Sequence, residues 1–300
     1  MRVLVTGASG FVGAHLVPLL QGSGHEVVAT SLLNADRLDV EDPSSIESVL
    51  SKQPIDAVIH LAAQASVPVS WEDPSATYRT NILGTSNLLQ GMHQHGIPKV
   101  LLVGSAQQYE PKETPLREVD PLLGMTPYSL SKIAQEQIGL MMHQRYGMQV
   151  LIARSFNHTG PGQGPHYSVG AFCHQIVEIE RGTRDKKMKV GYLGARRDFL
   201  DVRDVVGAYL RIIEDGNAGE VYNVCSGEAL EIREILETLI GFATVGDVEI
   251  EEDSDPRPGD PAMLVGDGTK ILSQLGWRPK IPMKESLRDT LDWYREKGEE

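Results

Sequence analysis

The segment TGASGFVG at positions 6–13 limits what this chain can become more than any other stretch of it. It follows an apolar run, Arg2 to Val5, that reads as a buried strand, and it leads into Phe11 to Leu20, which reads as a helix. Gly7, Gly10 and Gly13 let a strand-to-helix turn bring its backbone against a pyrophosphate. The amides of the helix start, with the positive end of its dipole, would then face the anion. A glycine triplet alone says little; the strand, turn and helix around it are what point to a dinucleotide.

Short apolar runs alternate with longer helical patterns from there on. Glu26 to Thr30, Asp56 to Leu61, Lys99 to Gly104 and Gln149 to Arg154 read as strands. Pro43 to Lys52, Pro74 to His95 and Tyr128 to Tyr146 read as the helices between them. This order predicts an α/β fold, a doubly wound parallel (Rossmann) sheet with helices on both faces. Beyond about residue 160 the order loosens, with Gly- and Pro-rich loops at 158–165 and 255–261. The change predicts a dinucleotide-binding domain over 1–165 and a smaller C-terminal substrate-binding lobe over 166–300. Their boundary is discontinuous, because part of 200–226, with the short apolar run Val221 to Val224, is expected to rejoin the first sheet. Met283 to Gly298 reads as a charged amphipathic helix packed on the outer face.

A hydrophobic share of 41% and a charged share of 23% are those of an ordinary globular protein. The net charge of −13 is wrong for a general nucleic-acid surface, so a phosphorylated ligand must be met by local arginines and helix ends. Cys173 and Cys225 stand far apart without metal-ligand spacing, so neither a disulfide framework nor a metal site is expected, and both read as packing residues. No apolar run approaches the roughly 20 residues needed to cross a bilayer. The first residues enter a strand instead of a signal peptide, which makes the cytoplasm the expected location, with no membrane or nucleic-acid partner.

The candidate chemistry lies in Tyr128-Ser-Leu-Ser-Lys132. Four residues apart on a helix, the tyrosine and lysine share a face. An ammonium beside a phenol is expected to lower its pKa and make it a usable acid or base near neutral pH. Ser105 follows the Lys99 to Gly104 strand, at the carboxyl end of the sheet where ligands collect, and its hydroxyl could hydrogen-bond the oxygen that Tyr128 protonates.

With the glycine turn, Ser105, Tyr128 and Lys132 resemble the extended short-chain dehydrogenase/reductase family that acts on nucleotide sugars. The resemblance covers essentially the whole chain. It includes HLAAQASV (60–67), Thr80-Asn81, ARSFNHTGPGQ (153–163) and RDFLDVRDV (197–205). It implies a cofactor site built from Gly7, Gly10, Phe11, Val12, Gly13, Thr30, Ser31, Asp39, Val40, Leu61, Ala62, Ala63, Tyr128, Lys132 and Phe156. Within the family, RSFNHTGPGQ looks most like GDP-mannose 4,6-dehydratases and the related GDP-4-keto-6-deoxymannose reductases. That likeness implies substrate contacts from Ser105, Gln107 and Asn157, and diphosphate contacts from Arg197 and Arg257.

One departure separates the reactions. Where dehydratases of this family carry a carboxylate after the catalytic Ser or Thr, this chain has Ala106 and Gln107. An amide cannot take up a proton at neutral pH, so elimination of water lacks its expected base. The resemblance then implies an NAD(P)H-dependent reductase of a nucleotide-linked 4-keto-6-deoxyhexose, from GDP-4-keto-6-deoxymannose to GDP-rhamnose. A nucleotide-sugar 4-epimerase with retained NAD is the alternative, with a 4,6-dehydratase behind it. A noncatalytic nucleotide-binding regulator would have no need of the proton-transfer set. Thr30, Ser31 and Leu32 offer neither the acidic residue of an NAD site nor the Arg that related reductases often place after the Thr-Ser pair, with Arg37 further along; NADP(H) is favoured slightly on the reductase resemblance only, and NAD(H) stays open. The family likeness also implies a homodimer.

Overall fold

The computed structural model describes residues 1–33, 37–253, 255 and 261–297. The first half alternates strands and helices: β1 (Arg2–Thr6), α1 (Phe11–Gly22), β2 (Glu26–Thr30), α2 (Pro43–Leu50) and β3 (Ala57–His60). Then come α3 (Val67–Glu72), α4 (Pro74–Tyr78), a π-helical turn at Arg79–Leu83, α5 (Gly84–Gln94), β4 (Lys99–Ser105), α6 (Pro127–Tyr146) and β5 (Gln149–Ser155). The second half holds β6 (Asn157–Thr159), α7 (Ser168–Glu180), β7 (Lys187–Val190), β8 (Arg196–Asp201), α8 (Val202–Asp215) and β9 (Val221–Val224). It continues with β10 (Ala229–Glu231), α9 (Ile232–Ile240), β11 (Glu249–Glu252), β12 (Met263–Leu264), α10 (Thr269–Leu275) and α11 (Met283–Lys297).

Six strands form one parallel sheet in the order β2-β1-β3-β4-β5-β9. β3 is buried at every position and β4 and β5 at nearly all, as strands covered on both faces must be. One face is closed by a core that includes Leu16, Leu20, Val205, Tyr209 and Ile212 of α1 and α8. The other is closed by Ile46 and Val49 of α2 and Leu88, Leu89 and Met92 of α5. The short run Val221 to Val224 does rejoin this sheet, as β9 beside β5. The order of strand addition reverses between β1 and β3, which opens the crevice at their carboxyl ends where doubly wound sheets hold ligands.

β8 organises the remaining chain, paired with β10, β12 and β6, while β7 pairs with β11. A third apolar cluster fills this part with Phe172 and Ile176 of α7, Leu236 and Leu239 of α9, and Leu287 and Leu291 of α11. The last helix is therefore built into that core and is more than an outer covering. Its Tyr294 hydroxyl donates to the Gln163 carbonyl at 2.6 Å.

A second correction concerns Pro74 to His95, expected as one helix. The run is interrupted by the wide turn at Arg79–Leu83, which separates α4 from α5. The interruption coincides with contacts made across the fold: Asn81 is buried and turned inward, where its Oδ1 accepts from Gln64 N at 2.8 Å and its Nδ2 donates to Gln64 O and Ser131 Oγ, both at 2.9 Å. A polar side chain with three inward partners overrides the regular helical ladder.

Candidate active site

The cofactor cradle begins where β1 ends. Gly7 has φ +68°, and a Cβ there would lie 2.8 Å from the Ala62 nitrogen, so only glycine lets the two carboxyl-end loops meet. A Cβ on Gly13 would strike the Ala8 backbone, which explains the third glycine as a packing requirement. Gly10 is the N-cap of α1 and offers no capping side chain, leaving the first amides, of Phe11, Val12 and Gly13, to face a ligand. These features fit the pyrophosphate of a dinucleotide. Leu61, Ala62 and Ala63 are half-buried across the crevice.

The cofactor set divides at its far end. Thr30 is fully buried and its hydroxyl donates to the Val5 carbonyl at 3.1 Å, so that side chain serves the sheet. Ser31 Oγ accepts from Leu33 N at 3.1 Å, and Ser31 pairs by a single bridge with Arg37, whose guanidinium is 66% exposed. Asp39 caps Glu41 N and lies 3.7 Å from Arg37, while Val40 packs against Gly84. Phe156 does not reach the surface of the crevice: its ring is buried against Tyr109 and Gly266.

The candidate catalytic residues do come together. Ser105 is the last residue of β4, and Thr126 caps α6 with Pro127 in its first turn, setting Tyr128 and Lys132 on the helix face turned to β4. Ser105 lies near enough to the Tyr128 hydroxyl to affect its titration, and its Oγ accepts from Gln107 N at 3.2 Å. Lys132 Nζ donates to the Val103 carbonyl and to Gln135 Oε1, both at 2.9 Å.

The electrostatics run against the sequence expectation. Burial dominates at Tyr128 and pushes it up to about 12; Ser105 opposes this and Tyr167 adds to it. Lys132 was expected to lower that pKa, but its ammonium is directed at Val103 and Gln135, and burial brings Lys132 itself down to about 7. Tyr128 is therefore a protonated phenol at neutral pH, ready to donate.

Beneath the cradle, Thr6 Oγ1 accepts from Ala62 N at 3.1 Å and donates to His60 Nδ1 at 2.8 Å. His60 Nε2 donates to Thr85 Oγ1 at 3.1 Å, and Thr85 donates to the Asn81 carbonyl at 2.7 Å. This relay requires neutral His60, and burial, with Lys132 nearby, brings its pKa down to about 3. The unfolded chain thus binds the His60 proton more readily than the folded one, so this residue makes stability fall as pH drops from about 6.5 towards 3. The expected loss is about 1.4 kcal/mol per pH unit in that window. Urea unfolding between those limits should show a shallower acid slope for His60→Gln than for the wild type; equal slopes would refute the assignment.

On the substrate side, Gln107 is half-buried just beyond Ser105, and Asn157 sits in β6 with no side-chain hydrogen bond among the described residues. Arg197 is 4% exposed in β8, with its guanidinium on the Arg196 and Ala262 carbonyls at 2.9 and 3.4 Å. Arg257 lies outside the described residues. The loop that divides the cradle from the lobe is tied at many points. His158 stacks on Phe11 with centroids 6.2 Å apart, and His15 Nε2 donates to the Pro161 carbonyl at 2.8 Å. Thr159 Oγ1 donates to Gln163 Oε1 and Gln163 Nε2 donates to the His158 carbonyl, each at 2.8 Å. Among the described residues no group of three or more His, Cys, Asp or Glu could hold a metal, and no helix is long and apolar enough to cross a membrane.

The family model described as GDP-mannose 4,6 dehydratase matches residues 4–290. The chain belongs to that family. It is an extended short-chain dehydrogenase/reductase of the epimerase/dehydratase type. Among its relatives is the GDP-6-deoxy-D-mannose reductase of Pseudomonas aeruginosa, 39% identical over 307 residues, covering 100% of this chain and 99% of the relative. A UDP-glucose 4-epimerase of Halalkalibacterium halodurans is 29% identical over 99% of this chain and 96% of its own. The structure is similar to that of RMD from Pseudomonas aeruginosa complexed with NADPH, with a TM-score of 0.90, 37% identity and 99% coverage of both chains. It is also similar to Thermus thermophilus UDP-glucose 4-epimerase in complex with NAD, with a TM-score of 0.89, 32% identity, and 98% and 99% coverage.

In this extended short-chain dehydrogenase/reductase, three site residues escape a linear reading. Asp198 is buried and accepts from Ser226 N, Ser226 Oγ, Gly227 N and Gly266 N, at 2.7 to 3.2 Å, pinning two loops of the lobe to β8. Its strand, RRDFLD, has no regular apolar alternation that could have marked it. Tyr167, just before α7, lies near enough to Tyr128 to affect its titration, and Gln108 is buried behind Ser105; neither carries a sequence signal.

Proposed function

We propose that this chain is an NADPH-dependent reductase that converts GDP-4-keto-6-deoxymannose to GDP-rhamnose, with Ser105, Tyr128 and Lys132 as its proton-transfer set. The observation that carries the reading is full-length kinship at 39% identity with a GDP-6-deoxy-D-mannose reductase. The site agrees with it, because Ala106 and Gln107 stand where dehydration would need a carboxylate. Glu136, the carboxylate behind them, is buried and paired with Arg154 at 2.6 Å. Gly7, Gly10 and Gly13 with the first amides of α1 hold the pyrophosphate, and Arg37 at the end of β2 serves the 2′-phosphate of NADP(H). When bound, the nicotinamide supplies a hydride for C4 of the sugar. Tyr128 Oη gives its proton to the C4 oxygen while Ser105 Oγ hydrogen-bonds the same oxygen, and Lys132, one helical turn along, would hold the nicotinamide ribose. Gln107 and Asn157 hold the sugar; Arg197 and Arg257 hold the diphosphate.

We assign cofactor binding to 1–165 with part of 200–226, and substrate binding to the rest of 166–300. We place the protein in the cytoplasm as a homodimer, an assembly supported by exposed Leu83, Leu130 and Met141 on the helical side of the sheet. A panel of nucleotide sugars followed by NAD(P)H absorbance and product chromatography tests the reading. Oxidation of NADPH by the keto sugar is expected; interconversion of two sugar nucleotides without added cofactor would establish an epimerase instead.

A further inference from the structure

We propose that Gln108 is a positioning residue for the Ser105 hydroxyl, and that only a neutral amide at this position can do the work. The proposal rests on the roles given above to Ser105 and Tyr128. Gln108 is fully buried, and its Oε1 accepts from Ser105 N at 2.7 Å while its Nε2 donates to Glu136 Oε2 at 2.9 Å. Glu136 follows Tyr128 and Lys132 by eight and four residues on α6, so all three share one helix face. One side chain therefore ties the end of β4, where Ser105 sits, to the helix that carries the proton donor.

The chemistry of the link is specific. An amide offers an acceptor and a donor together, matching a backbone N–H at one end and a carboxylate at the other. A carboxylate here would face Glu136 with like charge, and an apolar side chain would leave Ser105 N and a Glu136 lone pair unmatched in a dry interior. Gly104 makes room for it, since a Cβ there would lie 2.5 Å from Gln108 Oε1.

Behind the link, Arg154 donates to Glu136 Oε1 at 2.6 Å and Oε2 at 2.9 Å, and to the Glu118 carbonyl at 3.0 Å. Its guanidinium lies 4.7 Å from the Tyr109 ring centroid, and the Tyr109 hydroxyl donates to Asn223 Oδ1 at 2.6 Å. Ser105 is thus referenced to a buried polar frame that spans β4, α6, β5 and β9. Ser105 Oγ also accepts from Gln107 N, a second tie that holds the hydroxyl in place.

Two variants test this beside the wild type and Tyr128→Phe: Gln108→Leu and Gln108→Glu. Steady-state kinetics with the keto sugar give kcat and KM, and fluorescence titration gives the affinity for NADPH. Both single variants are expected to lose roughly 10- to 100-fold in kcat, the cost of a misplaced reacting group, while NADPH affinity holds. Wild-type kcat in Gln108→Leu with an inactive Tyr128→Phe would overturn this proposal alone. NADPH affinity falling in step with kcat would also overturn it. Full turnover by Tyr128→Phe would overturn the site reading and this proposal with it.

Discussion

Tyr128→Phe is expected to lower kcat by roughly 100- to 10,000-fold and to leave NADPH affinity close to that of the wild type. The ring occupies a buried position beside Ser105, so the substitution removes one polar atom from a packed site without opening a cavity of consequence. What disappears is the proton donor. With Tyr128 held up to about 12, no ionised phenol exists at neutral pH for the variant to forfeit, so the loss falls on the protonation of the C4 oxygen. Ser105 keeps its place on β4 and can still polarise the carbonyl, which is why residual turnover should persist. Stopped-flow measurement of NADPH oxidation separates the outcomes: a slow chemical step with normal cofactor binding supports the assignment, and an unchanged rate sinks it.

Arg154→Met is expected to cost about 3–5 kcal/mol of stability, the penalty for breaking one partner out of a buried ion pair. Arg154 and Glu136 have side chains 4% and 2% exposed, and they meet in a two-pronged contact. Burial is the largest influence and works against the charge on Arg154, yet Glu136 and Tyr109 together outweigh it and hold the guanidinium protonated. Removing the cation strands the Glu136 carboxylate with Gln108 as its remaining donor, and it also uncovers the Tyr109 ring. Replacing both members, Arg154→Met with Glu136→Leu, should recover much of the loss, because neither charge is then left in the interior. Urea denaturation at neutral pH checks both statements. A single variant within about 1 kcal/mol of the wild type would mean that the pair behaves like a surface bridge.

The parts of the molecule that were legible in the sequence are those whose physics is local. A glycine triplet between a strand and a helix has few explanations, and Gly7 and Gly13 sit where backbones touch. Tyr128 and Lys132 are linked by helical period, and Ser105 by the rule that ligands gather at the carboxyl ends of parallel strands. What stayed hidden depends on chain segments that meet only in the fold. The turn at Arg79–Leu83 exists because Asn81 finds partners at Gln64 and Ser131, 17 and 50 residues away. Thr30 was read as a ligand contact from its place at the end of β2, but its hydroxyl is bonded to Val5 on the neighbouring strand. The direction of the Tyr128 titration was misread for a similar reason: helical spacing supplies the neighbour, whereas burial, which decides the sign, belongs to the whole site.

The loop between Phe156 and Gln163 is fastened from two distant places. His15 of α1 reaches back 146 residues to Pro161, and Tyr294 of α11 reaches back 131 residues to the Gln163 carbonyl. During synthesis the first fastening is available as soon as the loop emerges, because α1 has already been made. The second must wait for α11. A nascent chain can therefore complete the cradle around TGASGFVG well before the wall facing the other ligand is secured, so the competence to hold one ligand precedes the competence to hold both.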